Sequence, residues 1–207
     1  SYDIKSEIMN DIFYIDMNVC DDNKNLKAQI KKLKKAIKNG ITKVIIDVRD
    51  NPGGNSMACT KILNAMGMTP PDYGSFVRYS ELAHEKHDVP SEGFTQRDPD
   101  KSKAKRNEKI QLVVLTNERT YSSATMMAVF VRDGGLGTVI GTPSSNSPSS
   151  YGDILYYQLP VSGIEVSISY KRWLRPDTEA DQRILMPDIV TEYNTDILQA
   201  AIDYLSK

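Results

Sequence analysis

Two short runs constrain the fold more than anything else in the chain. Val44, Ile45, Ile46 and Val48 are interrupted only by Asp47, and residues 111–116 read QLVVLT. A strand wetted on one face alternates apolar and polar residues. A run without alternation fits a strand covered on both faces, as in a parallel sheet flanked by helices. Parallel neighbours need long crossovers, usually helical, and the chain supplies them. Leu26, Ile30, Leu33 and Ile37 recur at helical spacing, with Asp22 as cap and Gly40 as stop. Helical spacing returns from about Met57 to Met66 and over Ser122 to Asp133. Ile12 to Met17 and GTVIG read as further strands, DILYYQL and IEVSISYKRW as a hairpin around Val161 to Gly163, and NTDILQAAIDYL as a closing helix capped by Asn194. Strands alternating with helices predict an α/β fold of right-handed βαβ units.

The 207 residues, 40% of them hydrophobic, suffice for one core, so residues 1–207 read as a single domain. Lys plus Arg (26) nearly cancels Asp plus Glu (27), and the net charge of -1 gives no general attraction to nucleic acid or to an anionic membrane. The lysines of the first helix form its solvated face. No apolar run approaches the roughly 20 residues of a membrane helix, which argues against membrane insertion. Cys20 and Cys59 lie in separate elements without CxxC spacing or nearby histidines, so neither a metal cluster nor a disulfide framework is predicted, and no cofactor is implied. The chain opens at Ser1 without an initiator methionine or a signal pattern, which suggests a piece of a longer protein whose upstream part is not shown. The polar stretch Thr69 to Lys109, broken by Pro70, Pro71, Pro90 and Pro99, reads as a mobile or substrate-facing insertion, and KSKAKRNEK within it as a solvated loop.

In parallel α/β sheets ligands sit at the carboxyl ends of strands, and two turns there are unusual. After VIIDV comes Arg49-Asp50-Asn51-Pro52-Gly53-Gly54-Asn55, whose glycine pair permits positive φ and close backbone approach. After QLVVLT comes Asn117-Glu118-Arg119-Thr120-Tyr121-Ser122-Ser123, which sets serines at a helix N-terminus, where free N–H groups and the helix dipole favour an oxyanion. Taken singly, each has an ordinary reading: Ser122 as a helix cap, the glycines as a tight turn.

Taken together, with their flanks, these segments resemble the C-terminal processing (tail-specific) and tricorn-core serine peptidases. VIIDVRDNPGG resembles that family's strand and turn, VVLTNERTYSSAT its nucleophile segment, VIGTPSSNS its following strand and loop, and LMPDIVTE the Pro-Asp strand near the end of its core. The four matches, in order, span nearly all of residues 10 to 195. The resemblance implies a crotonase/Clp-protease-like spiral of ββα units and a peptidase core lacking an N-terminal domain. It also implies an acyl-enzyme on Ser122, with oxyanion donors from Ser123 and from Gly53 or Gly54. Peptide or unfolded protein would be the substrate, lined by Ser147 and Tyr151, in an extracellular or cell-envelope setting.

The departures concern the base. Family members with a Ser-Lys dyad carry lysine where this chain has Ser147, and the acid after the nucleophile motif is replaced by Thr125. An unassisted serine is too weakly acidic to take the lysine's place. The pattern resembles the tricorn-like branch, whose base is a histidine upstream of the core, oriented through an acid near the C-terminal strand. Glu179 and Asp181 fall about there. Within the chain, His84 and His87 lie in a polar segment where a solvated histidine is the ordinary reading, and their HEKH spacing lacks a third metal ligand. Lys171 lies on an alternating hairpin and can face the site or solvent. Two other functions stay open: a peptide-binding module with the peptidase fold but no working base, and a crotonase-type enzyme acting on an acyl thioester.

Overall fold

The computed structural model describes residues 3–207; Ser1 and Tyr2 lie outside the described part. A six-stranded sheet is built from β1 (Ile4–Met9), β2 (Ile12–Met17), β3 (Lys43–Asp47), β6 (Gln111–Thr116), β7 (Thr138–Gly141) and β10 (Ile189–Val190), in the order β1-β2-β3-β6-β7-β10. The β1–β2 pair is antiparallel and the remaining pairs are parallel. The crossovers are α1 (Lys24–Lys38) between β2 and β3, α2 (Met57–Ala65) after β3, and α4 (Ser123–Asp133) between β6 and β7.

The two unalternating runs are the central strands β3 and β6, and both of their faces are covered. Val44, Ile46, Leu112 and Val114 join the larger core cluster with Leu26 and Leu33 of α1, Ile62 and Leu63 of α2, and Met127 and Val131 of α4. Ile45, Val113 and Leu115 point the other way, against Ala201 and Leu205 of α5 (Ile197–Leu205). Successive residues thus serve opposite layers, which is why Val44 to Ile46 and Leu112 to Leu115 run without a polar position. Among the described residues no helix is long and apolar enough to cross a membrane.

Three expectations need correction. The insertion from Thr69 to Lys109 is structured: it holds β4 (Gly74–Arg78), α3 (Glu81–His87), β5 (Phe94–Arg97) and a short 3-10 turn at Lys101–Lys103. Strands β4 and β5 join the hairpin β8 (Tyr151–Gln158) and β9 (Glu165–Leu174) in a four-stranded antiparallel sheet, order β5-β4-β9-β8. The α1 cap is Asn23 rather than Asp22; its side chain accepts the Leu26 N–H. The α5 cap is Asp196, which accepts the Gln199 N–H, and not Asn194. In both cases the side chain that reaches an unpaired helix N–H decides the cap, and near-neighbour polar residues look alike in sequence.

Tyr73, just ahead of β4, ties the second sheet to the helical layer, meeting Phe130 of α4 and Trp173 of β9 edge-to-face at centroid distances of 5.6 and 6.2 Å.

Candidate active site

Because β3 and β6 are hydrogen-bonded neighbours, the turns that follow them emerge side by side. Backbone and side-chain bonds then stitch them together. The Val48 N–H donates to the Leu115 carbonyl (3.1 Å), the Thr120 hydroxyl to the Val48 carbonyl (2.9 Å), and the Tyr121 N–H to the Asn51 carbonyl (2.9 Å). The Ser123 hydroxyl donates to the Gly54 carbonyl (2.7 Å). Asn51, fully buried, organises the first turn: its amide donates to the Met17 carbonyl (2.6 Å), and its oxygen accepts the Gly53 N–H (2.8 Å).

Ser122 stands at the junction of β6 and α4 with φ 52° and ψ -124°. A non-glycine residue held at positive φ costs on the order of 1–3 kcal/mol, and such strain concentrates at functional sites. The sharp strand-to-helix turn lifts the half-buried serine away from the sheet, and its hydroxyl caps nothing. The ordinary reading of Ser122 as a helix cap therefore does not describe its side chain. Gly53, at φ +98°, presses against it: a Cβ on Gly53 would lie 2.5 Å from the Ser122 Cβ and 3.0 Å from the Ser123 nitrogen. Gly54, at φ +128°, faces the other way, and a Cβ there would lie 2.2 Å from the Cys20 carbonyl oxygen. No side chain fits at either position.

The structure thus brings Ser122, Ser123, Gly53 and Gly54 into one cluster. It also separates the two glycines: the Gly53 N–H is taken by Asn51, whereas the N–H groups of Gly54 and Ser123 have no hydrogen-bond partner among the described residues. Thr125 is buried in the first turn of α4, and its hydroxyl reaches the Thr120 carbonyl at 3.3 Å.

The remaining candidates are engaged elsewhere. His84 and His87 are exposed on α3; a ring nitrogen of His84 pairs with the Val89 carbonyl (2.6 Å), and His87 stacks on Tyr170. Lys171 forms an ion pair with Asp153 (3.2 Å) and lies 3.5 Å from the Trp173 ring centroid. Glu179 is exposed. The Asp181 carboxylate accepts the N–H groups of Arg183 and Ile184, bonds that hold it below the usual carboxylate range. No hydrogen bond joins any of these five side chains to the Ser122 turn among the described residues. Ser147 is half-buried in the loop before β8, its carbonyl capped by Asn146. Tyr151 and Lys171 line a cavity of about 840 Å³ on the four-stranded sheet, with Phe76, Arg78 and Tyr170; none of the clustered residues around Ser122 lines it.

Two charged clusters escaped the sequence reading. Asp47, buried at the end of β3, accepts from the Tyr14 hydroxyl (2.8 Å) and from Arg49 through its backbone N–H (3.1 Å), Nε (2.8 Å) and a terminal guanidinium nitrogen (2.5 Å). This fixes the entry to the glycine turn. Burial, then the Asp47 charge, pushes the Tyr14 phenol up from its ordinary value. Asp133, the last residue of α4, receives a bidentate grip from Arg175 (2.6 and 2.8 Å), and both side chains are almost wholly buried. The Asp-x-Arg spacing at 47–49 was available as a signal for the first; nothing local pairs residues 133 and 175.

This strained serine beside a glycine turn sits in a chain that belongs to peptidase family S41, whose sequence profile matches residues 11–191. The chain is therefore a member of a serine-peptidase family, whose substrates are peptides or proteins. Three of the solved structures it resembles are as follows. A lipoprotein from Streptococcus agalactiae shares 13% identity (TM-score 0.61), covering 100% of this chain and 70% of that one. The photosystem II D1 C-terminal processing protease shares 17% (TM-score 0.58), covering 95% and 47%. Mature CPAF complexed with lactacystin shares 14% (TM-score 0.62), covering 98% and 52%. This chain thus spans between about half and 70% of these relatives' lengths, and at such identities the likeness establishes the α/β fold alone. No curated protein matches the chain.

Proposed function

We propose that the chain is the catalytic core of a serine endopeptidase with Ser122 as nucleophile. The observation that carries this is the Ser122 turn: a serine at positive φ, its hydroxyl free of any capping bond, beside two unpartnered N–H groups. In this reading the Ser122 Oγ attacks a peptide carbonyl and its proton passes through a base to the departing amine. The resulting oxyanion accepts from the N–H groups of Ser123 and Gly54, and water then hydrolyses the acyl-enzyme. The position of Ser122 at the start of the 11-residue α4 adds the positive end of a helix dipole. Gly53 serves by its missing side chain rather than by its N–H.

The hydrogen bond of His84, the stacking of His87 on Tyr170 and the ion pair of Lys171 support a base other than these three, as in the branch of the family without the dyad lysine. A histidine from a part of the protein outside these 207 residues meets that need. The lipoprotein among the structural relatives supports an extracellular or cell-envelope setting.

The test is labelling with a fluorophosphonate probe between pH 5 and 9, read by mass spectrometry. A longer form that contains this chain should be modified at Ser122 and its Ser122→Ala variant not at all, with His84→Ala, His87→Ala and Lys171→Ala labelled at the wild-type rate. No labelling of this chain or of a longer form containing it would leave a peptide-binding module with a peptidase fold. Labelling confined to the longer form, rising with an imidazole-like pKa, would assign the base to the added part.

A further inference from the structure

Two thiols that the proposed chemistry does not use lie directly beneath the Ser122 cluster. Cys20, between β2 and α1, and Cys59, in the first turn of α2, are both buried, with sulfurs 3.8 Å apart. Each is tied to the cluster by a different route. The Cys20 backbone holds the glycine turn: its N–H donates to the Gly53 carbonyl (2.9 Å), and its carbonyl accepts the Asn55 N–H (2.6 Å). The Cys59 thiol donates to the Ser123 carbonyl (3.3 Å), at the N-terminal turn of α4. Asn51, which occupies the Gly53 N–H, also touches the Cys20 sulfur (3.6 Å). One thiol thus belongs to the strap under the glycines and the other to the helix packed beneath the serine turn.

A disulfide needs its sulfurs about 2.05 Å apart, so closure asks each of these to move by roughly 0.9 Å, within reach of a side-chain rotation. We propose that Cys20 and Cys59 are a disulfide site, and that the bond clamps the Gly53-Gly54 turn to α2. The oxidant is a small-molecule or protein disulfide. One cysteine thiolate attacks a sulfur of the oxidant and expels one thiolate. The other cysteine then attacks the protein sulfur of the mixed disulfide and expels the oxidant's second thiolate. The two protein thiols lose two protons and two electrons, and the oxidant is reduced to two thiols. The hydrogen bond with Cys20, then burial, pushes the Cys59 thiol up, which disfavours the attacking thiolate while the core is closed. Oxidation of the folded chain therefore passes through openings of the β2–α1 connection and is slow, whereas oxidation during refolding is fast.

The inference rests on the geometry of the two cysteines and not on the peptidase reading, so its test reads bonding and stability. The chain is unfolded and refolded in a glutathione buffer poised oxidising, and separately in dithiothreitol. Each sample is then denatured, treated with N-ethylmaleimide, and analysed by mass spectrometry and thermal melting. The expected result is no maleimide on the oxidised chain and two on the reduced one, a cross-linked peptide pair containing Cys20 and Cys59, and a melting temperature higher by about 10 °C. That shift is the size expected for closing a loop of about 40 residues in a chain of this length. Cys59→Ser should erase the shift; should that variant fail to fold, the oxidised and reduced wild type still give the comparison. Two free thiols after oxidative refolding would overturn the site, and a disulfide without a higher melting temperature would overturn the clamp.

Discussion

Gly53 shows how much a single missing side chain can decide. Its φ of +98° is open to glycine and strained for every other residue, and a Cβ would press into the Ser122 Cβ and the Tyr121 carbonyl at 2.5 and 2.9 Å. Gly53→Ala must then push the serine turn outward, because Asn51 and Cys20 hold the glycine turn from behind. The strain is local, so the expected cost to stability is about 1–3 kcal/mol, while fluorophosphonate labelling of Ser122 should fall at least tenfold through the misplaced Oγ. Wild-type labelling in Gly53→Ala would show that the contact is not part of the site. The glycine pair and the serines were legible in sequence because each turn is a local pattern. Which glycine N–H stays free was not, since it depends on where the Asn51 side chain points.

At the level of elements, legibility tracked how local each cause was. The α1 stripe and the buried runs of β3 and β6 are written in successive residues, and they folded as read. Strands β4 and β5 were hidden because β4 pairs with β9 almost a hundred residues on, and because polar and proline residues surround them on a sheet with one open side. The Tyr14–Asp47–Arg49 cluster is likewise a product of pairing, since β2 lies beside β3. It gives a pH test. Burial, followed by the Asp47 carboxylate, raises the folded-state pKa of Tyr14 above the unfolded value near 10. A raised pKa contributes stability that is fully present below about pH 10 and is lost as pH climbs beyond it. Tyr14→Phe removes the titrating group, at a cost of about 1 kcal/mol at neutral pH for the lost hydrogen bond. Urea unfolding at pH 8 and pH 11 should therefore show a smaller loss of stability in the variant than in wild type. Equal losses would mean that Tyr14 ionises as freely in the fold as in the unfolded chain.

Across the whole molecule, the layers are joined by a few contacts that no local pattern announces, and the pair of Asp133 with Arg175 is the most deeply buried of them. Arg175 also donates to the Asp181 carbonyl (2.6 Å), and its backbone N–H is held by Ser149, whose hydroxyl in turn reaches Gln182. The end of α4, the exit of β9 and the loop toward β10 therefore converge on one guanidinium. Two buried charges repay their desolvation only while each keeps its partner. Asp133→Ala strands the Arg175 cation with side-chain exposure of only 1%, and the expected cost is about 3–5 kcal/mol in urea unfolding. Replacing both residues, Asp133→Leu with Arg175→Met, should recover most of that loss, because no charge is left stranded. Recovery should stop short of wild type, since the Asp181 carbonyl keeps no donor from residue 175. The pair sits at the opposite end of α4 from Ser122, about 16 Å away along an 11-residue helix. Labelling of Ser122 per folded molecule should therefore match wild type in both variants under conditions where they stay folded. A cost below about 1 kcal/mol for Asp133→Ala would show that water reaches the guanidinium when its partner is removed.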